Sequence, residues 1–350
     1  MTKISKVSLD RLRFSGLHKS HIGAIKSCLD YWNVPHSVAW VYGITGNAFL
    51  SVVDERMTAP NRGEPEPRLF EAARHLGLSI EGFYTIAADD DSFRRLQAEA
   101  WDGARNALRR GLPVFAKQLD LGDETSMVYA FDDTGYYTHS WHGGTGHEGA
   151  DDVIPWMMLG RSYCPCAACA ADRSNERHRS DRREPGGFIS LHWADKAEPS
   201  DDASAIRAAL ELASEFSRDE AYEWDGQTFY GGIRALDRWI EAVRGGTIEC
   251  FFMGYYVDLF HESRHYAQRF LREAGDRLGG SIAERLDAAA EHYGRIAESF
   301  RTLNGMFPWM QPREPLLDPD RREQASELLV RIRELEIEGR PLLERIRSLL

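Results

Sequence analysis

Residues Gly111–Trp141 read GLPVFAKQLDLGDETSMVYAFDDTGYYTHSW, and their apolar runs are cut to the length of strands. Pro113 to Leu119, Ser126 to Phe131 and Tyr136 to Trp141 are rich in Val, Phe and Tyr. Gly122-Asp123-Glu124-Thr125 and Asp132-Asp133-Thr134-Gly135 lie between them. β-Branched and aromatic side chains suit a pleated, half-buried surface, while Gly and Asp tolerate tight backbone, so the stretch predicts a β-meander.

Outward from the meander the pattern alternates. Asp91 to Arg110 reads as a long helix closed by Gly111, Ile80 to Ile86 as a strand, and Leu69 to Leu76 as a helix stopped by Gly77. Ala48 to Val53 suits a buried strand, reached from Trp40-Val41-Tyr42-Gly43 through a Gly-rich turn. Ile22, Ile25, Leu29 and Trp32 recur at helical steps, so Ser20 to Trp32 is a predicted helix with Ser20 as its N-cap. Downstream, His142 to Ala150 is a Gly- and His-rich loop, Arg173 to Arg183 an Arg-rich solvated excursion, and Phe188 to Trp193 one more strand. Beyond Pro199 the period becomes helical throughout: Asp201 to Phe216, Tyr230 to Arg244, Gly254 to Ala274, Ile282 to Asn304 and Arg321 to Leu349, with Pro341 expected to kink or interrupt the last. The fold class is therefore α+β. A mixed domain over residues 1–197 carries a Cys/Arg-rich loop insertion at 161–186, and an all-α helical bundle follows over 198–350.

Composition narrows the function classes. Of 350 residues 43% are apolar and nine are Trp, enough for ordinary cores, and the net charge of −12 speaks against general nucleic-acid binding, which needs a surplus of Lys and Arg. No apolar run approaches the length of a membrane span, and the opening residues lack the apolar core of a secretory signal. Five cysteines, three of them within six residues, do not form a secreted disulfide framework, so a cytoplasmic location is expected.

Three constellations could carry chemistry. His261-Glu262-Ser263-Arg264-His265 is a literal H-E-x-x-H on a predicted helix, the pattern of a zinc metalloprotease. A charged Arg264 inside the motif, no sheet over it, and only Glu284, Asp287 or Glu291 as a third ligand argue for an ordinary bundle helix. Cys164-Pro165-Cys166-Ala167-Ala168-Cys169 offers three soft thiolates for a structural zinc, with His178 or His192 as a fourth ligand; a metal-free loop is the plainer reading. No other cofactor is required. Ser20, which follows Gly16-Leu17-His18-Lys19 and precedes His21, would be a hydroxyl at a helix N-terminus, where free N–H groups can hold an oxyanion; a mere cap is the alternative.

The pattern over Gly16 to Phe49, with Tyr31-Trp32-Asn33, Trp40-Val41-Tyr42-Gly43 and Gly46-Asn47-Ala48-Phe49, resembles the N-terminal domain of butirosin-biosynthesis-H-like proteins, papain-like relatives of the bacteriocin-processing cysteine peptidases. Gly111 to Phe115 and Glu124 to Asp133 look like that fold's central hairpin. Tyr230 to Trp239 and Glu262 to Leu271 look like helices of the attached bundle. The resemblance implies a papain-like first domain and a place in small-molecule or peptide natural-product biosynthesis. It also exposes departures: the family's His-Cys pair falls on Lys19-Ser20, its catalytic His on Ser126, and its orienting residue near His139-Ser140. A thiolate–imidazole mechanism is not inherited.

On that geometry Glu124 and Ser126 would face Ser20. The candidate catalytic residues are then Ser20, Glu124, His21 and His139, with Ser126, Lys19, His18 and Tyr42 as substrate contacts. Acyl or amide transfer at this rearranged cleft is one expectation. A non-catalytic module holding a small molecule, a peptide or an acyl-carrier arm is the other. The apolar face of Arg321 to Leu349 packs on its own bundle or serves a homodimer.

Overall fold

The computed structural model describes residues 6–58, 66–122, 124–143, 145–174, 187–224, 226–309 and 314–350. In chain order its elements begin β1 (Val7–Ser8), α1 (Ser20–Tyr31), α2 (Val38–Ile44), β2 (Val52–Asp54), α3 (Glu66–Arg74), β3 (Leu78–Ala87) and α4 (Asp90–Arg109). There follow β4 (Val114–Lys117), β5 (Thr125–Phe131), β6 (Gly135–His139), β7 (Ile154–Pro155), α5 (Ala167–Ser174), β8 (Gly187–Lys196) and α6 (Asp202–Phe216). The remainder is β9 (Ala221–Trp224), β10 (Gln227–Gly231), α7 (Gly232–Arg244), α8 (Cys250–Leu278), α9 (Gly280–Met306), α10 (Glu314–Leu317) and α11 (Pro319–Arg347). A mixed α/β region thus precedes a largely helical one. The chain forms two compact units, 1–35 with 77–198 and 36–76 with 199–350. The crossing expected near residue 197 is joined by two more, because α2, β2 and α3 belong with the helices.

The first unit is an antiparallel sheet in the order β3-β8-β4-β5-β6-β7. β4 pairs with Thr125–Val128, and β1 takes over the same flank of β5 at Ala130 and Phe131. Strand alternation assigns the two faces. Phe115 pairs with both Met127 and His192, and its ring meets His21 of α1, 5.9 Å between centroids. Val114 pairs with Trp193, whose ring lies against Gly103 of α4. Helix α1 therefore covers one face and α4 the other. α4 starts at a reciprocal cap between Asp89 and Ser92 and presents Phe93, Ala100, Trp101, Ala104 and Leu108 to the sheet. Trp101 seats edge-on against Phe131 and Tyr136.

The second unit is built on the hairpin of α8 and α9. Gly279 and Gly280, at φ of +66° and +62°, make its turn, a backbone region that penalises any Cβ. α11 packs on α9 and α7, and α2 packs on α8 so closely that a Cβ on Gly43 would sit 2.0 Å from the Phe270 ring. Buried Trp239 contacts Tyr256, Phe260 and Phe300 at the centre.

One expectation is corrected here and one is narrowed. The second unit is not all-α, since β2, β10 and β9 form a three-stranded sheet. Its hairpin had a sequence signal: Tyr222 and Trp224, then Thr228 and Tyr230, flank an Asp-Gly dipeptide at 225–226. And α11 runs through Pro341 without interruption. The carbonyl that loses its donor belongs to Ile337, which is exposed, so water can satisfy it.

Candidate functional site

The β5 register decides the region around Ser20. Lys19, buried, occupies the cap position of α1, and Ser20 is the first helical residue rather than the cap. The Thr125 backbone N–H donates to Ser20 Oγ at 3.0 Å, and His21 Nδ1 lies 3.0 Å from Thr125 Oγ1. Thr125 is a β5 side chain on the α1 face. Ser126 points to the opposite face, where its hydroxyl donates to buried Asp120, which also accepts from Leu121 N–H at 2.7 Å and Thr138 Oγ1 at 3.3 Å. A shift of one residue exchanges the faces of a strand. Ser20 therefore meets Thr125 where the sequence reading expected Ser126.

The other expected residues spread out. Glu124 is half-buried at the end of the hairpin, its carbonyl accepting from Gln118 N–H at 3.1 Å. The ring of His139 stacks on Tyr129, 4.1 Å between centroids, and burial pushes its pKa down. His18 lies edge-on to Trp141. Tyr42 belongs to the second unit, where its hydroxyl donates to Glu262. Ser20, Thr125 and Ser126 are all buried.

Asp120 was not singled out in the sequence and is a buried carboxylate with three donors. Asp120→Ala strands two buried hydroxyls and an N–H, and denaturant unfolding is expected to show a loss of about 1–3 kcal/mol. Asp120→Asn, which keeps an acceptor, should recover part of it. Equal losses in the two variants would contradict this account.

The thiol cluster is more sharply assembled. Gly160 and Ser162 N–H groups both donate to Gln118 O at 3.0 Å, and Tyr163 N–H donates to Leu119 O at 2.8 Å, which lashes the approach to Cys164 onto the sheet. Ala167 N–H donates to Glu148 O at 2.8 Å and ties the start of α5 to the loop after β6. That loop delivers His142. Its Nδ1 lies 2.9 Å from Cys164 Sγ and 3.8 Å from Cys169 Sγ. The ligand atoms of His142, Cys164, Cys166 and Cys169 all fall within 4.8 Å of one another, the one such group among the described residues. Tetrahedral zinc with sulfur at about 2.3 Å needs sulfurs about 3.8 Å apart, so a small contraction would close the shell.

Local structure prepares these thiols. Cys166 directly precedes α5, and the Cys169 N–H donates to its sulfur at 3.4 Å, as an anionic cap at a helix start would require. His147 Nδ1 lies 3.7 Å from the same sulfur. Burial opposes ionisation of Cys166, but these hydrogen bonds and Cys164 outweigh it and bring the thiol down to about 7. Burial pushes Cys164 and Cys169 up. Burial and neighbouring His147 keep His142 low, hence neutral and able to ligate.

Of the two expected fourth ligands only His192 can be placed. His178 lies outside the described residues, and His192 is buried in β8 beside Phe115 with Nε2 3.2 Å from Ser190 Oγ. His142 had one sequence signal, a loop dense in His directly after the third meander strand.

The H-E-x-x-H residues lie within α8, one of them packed into the core. Arg264 is fully buried, paired with Glu336 and donating to Ala48 O, Leu50 O and Ser51 Oγ. The His261 and His265 rings stand 6.2 Å apart, and no third ligand joins them among the described residues. No described helix is long and apolar enough to cross a membrane. Neither a protein-family model nor a curated protein matches the chain.

Proposed function

We propose that the first unit is a zinc-stapled binding module, built on a papain-like scaffold, that holds a small molecule or peptide and does not cleave it. The observation that carries the metal is the gathering of three thiols and one imidazole within 4.8 Å. Three thiolates and a neutral imidazole suit zinc, and four protein ligands leave no open position for a substrate, so the ion's role is structural. It would join the loop after β6 to the segment before α5, two stretches with little regular structure of their own. The binding role is supported by burial: a nucleophile must be reachable, and the hydroxyls of Ser20 and Thr125 lie beneath the surface. A place in natural-product biosynthesis rests on the resemblance noted above.

The test is elemental analysis of the intact protein produced with zinc supplied. About one zinc per chain is expected, falling to near zero in Cys166→Ser and unchanged in His261→Ala with His265→Ala. Zinc that followed the α8 histidines would reverse the assignment.

A second reading has one specific observation behind it. His21 Nδ1 and Thr125 Oγ1 at 3.0 Å have the spacing of a base and the hydroxyl it activates. An acyl-transfer enzyme would then label at Thr125 with a fluorophosphonate probe, and His21→Ala would abolish the labelling. An unlabelled protein favours the binding role.

A further inference from the structure

The second unit carries an open cavity of about 470 Å³ where α8, α9 and α11 meet, lined by Gln268, Arg272, Glu291, Gly294, Arg295 and Arg331 among others. Helical spacing brings these residues together. Gln268 and Arg272 are four apart on α8, Glu291 and Arg295 four apart on α9, so each pair shares one face, and Arg331 approaches from α11. Gly294 lets the Gln268 amide lie against α9: a Cβ there would lie 2.6 Å from Gln268 Nε2.

The charges in the cavity are unevenly committed. The Glu298 carboxylate on its rim is held by Arg301, with Nε at 2.8 Å. Arg295 has His292 Nδ1 at 2.6 Å and Glu338 only at 4.0 Å. Arg272 and Arg331 make no ion pair or side-chain hydrogen bond among the described residues. Three guanidinium groups therefore face one uncommitted carboxylate, Glu291. This local surplus of positive charge stands in a chain of net charge −12. Guanidinium groups present paired donors that match the oxygens of phosphate and carboxylate, and a cavity wall focuses their field.

We infer that the cavity between α8, α9 and α11 is a binding site for a small molecule bearing a phosphate or carboxylate group, with Arg272 and Arg331 as its anion clamp. The site lies wholly within the second unit and is independent of the zinc centre and of the role proposed for the first unit. Gln268 supplies an amide donor at the same wall, and the volume accommodates a ligand the size of a mononucleotide or a phosphorylated sugar.

Isothermal titration of the full chain with inorganic pyrophosphate at low salt tests this. One saturable site is expected. Arg272→Ala or Arg331→Ala should weaken it by about tenfold or more, the loss of one charge-assisted contact. Arg285→Ala, an exposed arginine of α9 outside the cavity, should leave affinity nearly unchanged, and Glu291→Gln should tighten it. These are surface substitutions, and circular dichroism of each variant confirms an intact fold. The absence of saturable heat would overturn the inference. So would equal losses in the Arg272 and Arg285 variants, which would mean diffuse attraction to surface charge.

Discussion

Arg264→Ala is expected to destabilise the protein by about 3–5 kcal/mol, the usual consequence of breaking a buried ion pair and stranding its partner. Arg264 is fully buried in α8, and its guanidinium links four places: Glu336 on α11, the carbonyls of Ala48 and Leu50, and the Ser51 hydroxyl. Removal leaves the Glu336 carboxylate without its counter-ion and two carbonyls and a hydroxyl short of a donor. Arg264→Lys should recover little, because a single ammonium cannot reproduce the planar fork that reaches Glu336 and the 48–51 segment together. Glu336→Leu in the Arg264→Met background should recover part of the loss, since the stranded charge disappears while the carbonyls at 48 and 50 stay unsatisfied. Urea unfolding of the intact protein measures all four variants. A change below about 1 kcal/mol for Arg264→Ala would mean that water reaches the site and that the buried network is not what holds the 48–51 segment.

Removing the proposed zinc is expected to have the second large effect. A ligand that binds only the folded state stabilises it by about 4 kcal/mol when its free concentration is about a thousand times its dissociation constant. A chelator should therefore lower the melting temperature sharply, and Cys164→Ser should reproduce that without chelator. The pH dependence has a definite sign. Cys164 and Cys169 are held above the ordinary thiol range and Cys166 is brought down to about 7, so near neutrality at least two protons must leave for the ion to enter. Protons compete with metal, so affinity falls as pH falls, by about a hundredfold per unit when two protons are released. Competition with a chromogenic zinc chelator across neutral pH reads the slope. A slope of zero would show that the thiols are not the ligands. His147, beside Cys166 and His142, is not needed to complete the shell. His147→Ala should keep the stoichiometry and weaken affinity by about tenfold, as expected for a group that orients a ligand.

The periodic segments were legible from the residues alone. The meander from residue 113 to 141, the helix from 91 to 110 and the long helices beyond 199 all stand within a few residues of their expected bounds, because amphipathic spacing is a local property of the chain. The soft-metal character of the trio Cys164, Cys166 and Cys169 was equally local. So was the clue that Arg264 did not suit a metalloprotease helix. What the residues by themselves could not supply was the partner of each face. Whether Thr125 or Ser126 meets Ser20 depends on the β4–β5 register, and a slip of one residue exchanges the two sides of the strand. Among the described residues the fourth member of the thiol cluster is His142 and not His192, because hydrogen bonds from residues 160–163 to Gln118 and Leu119 carry the cysteines back beside the loop after β6. Residues 36–76 join the helices since Arg264 and Phe270 hold them there, more than 200 positions along the chain. Sequence period reports which side of an element is apolar, and only the closed structure, where distant segments must satisfy each other's buried polar groups, decides what that side meets.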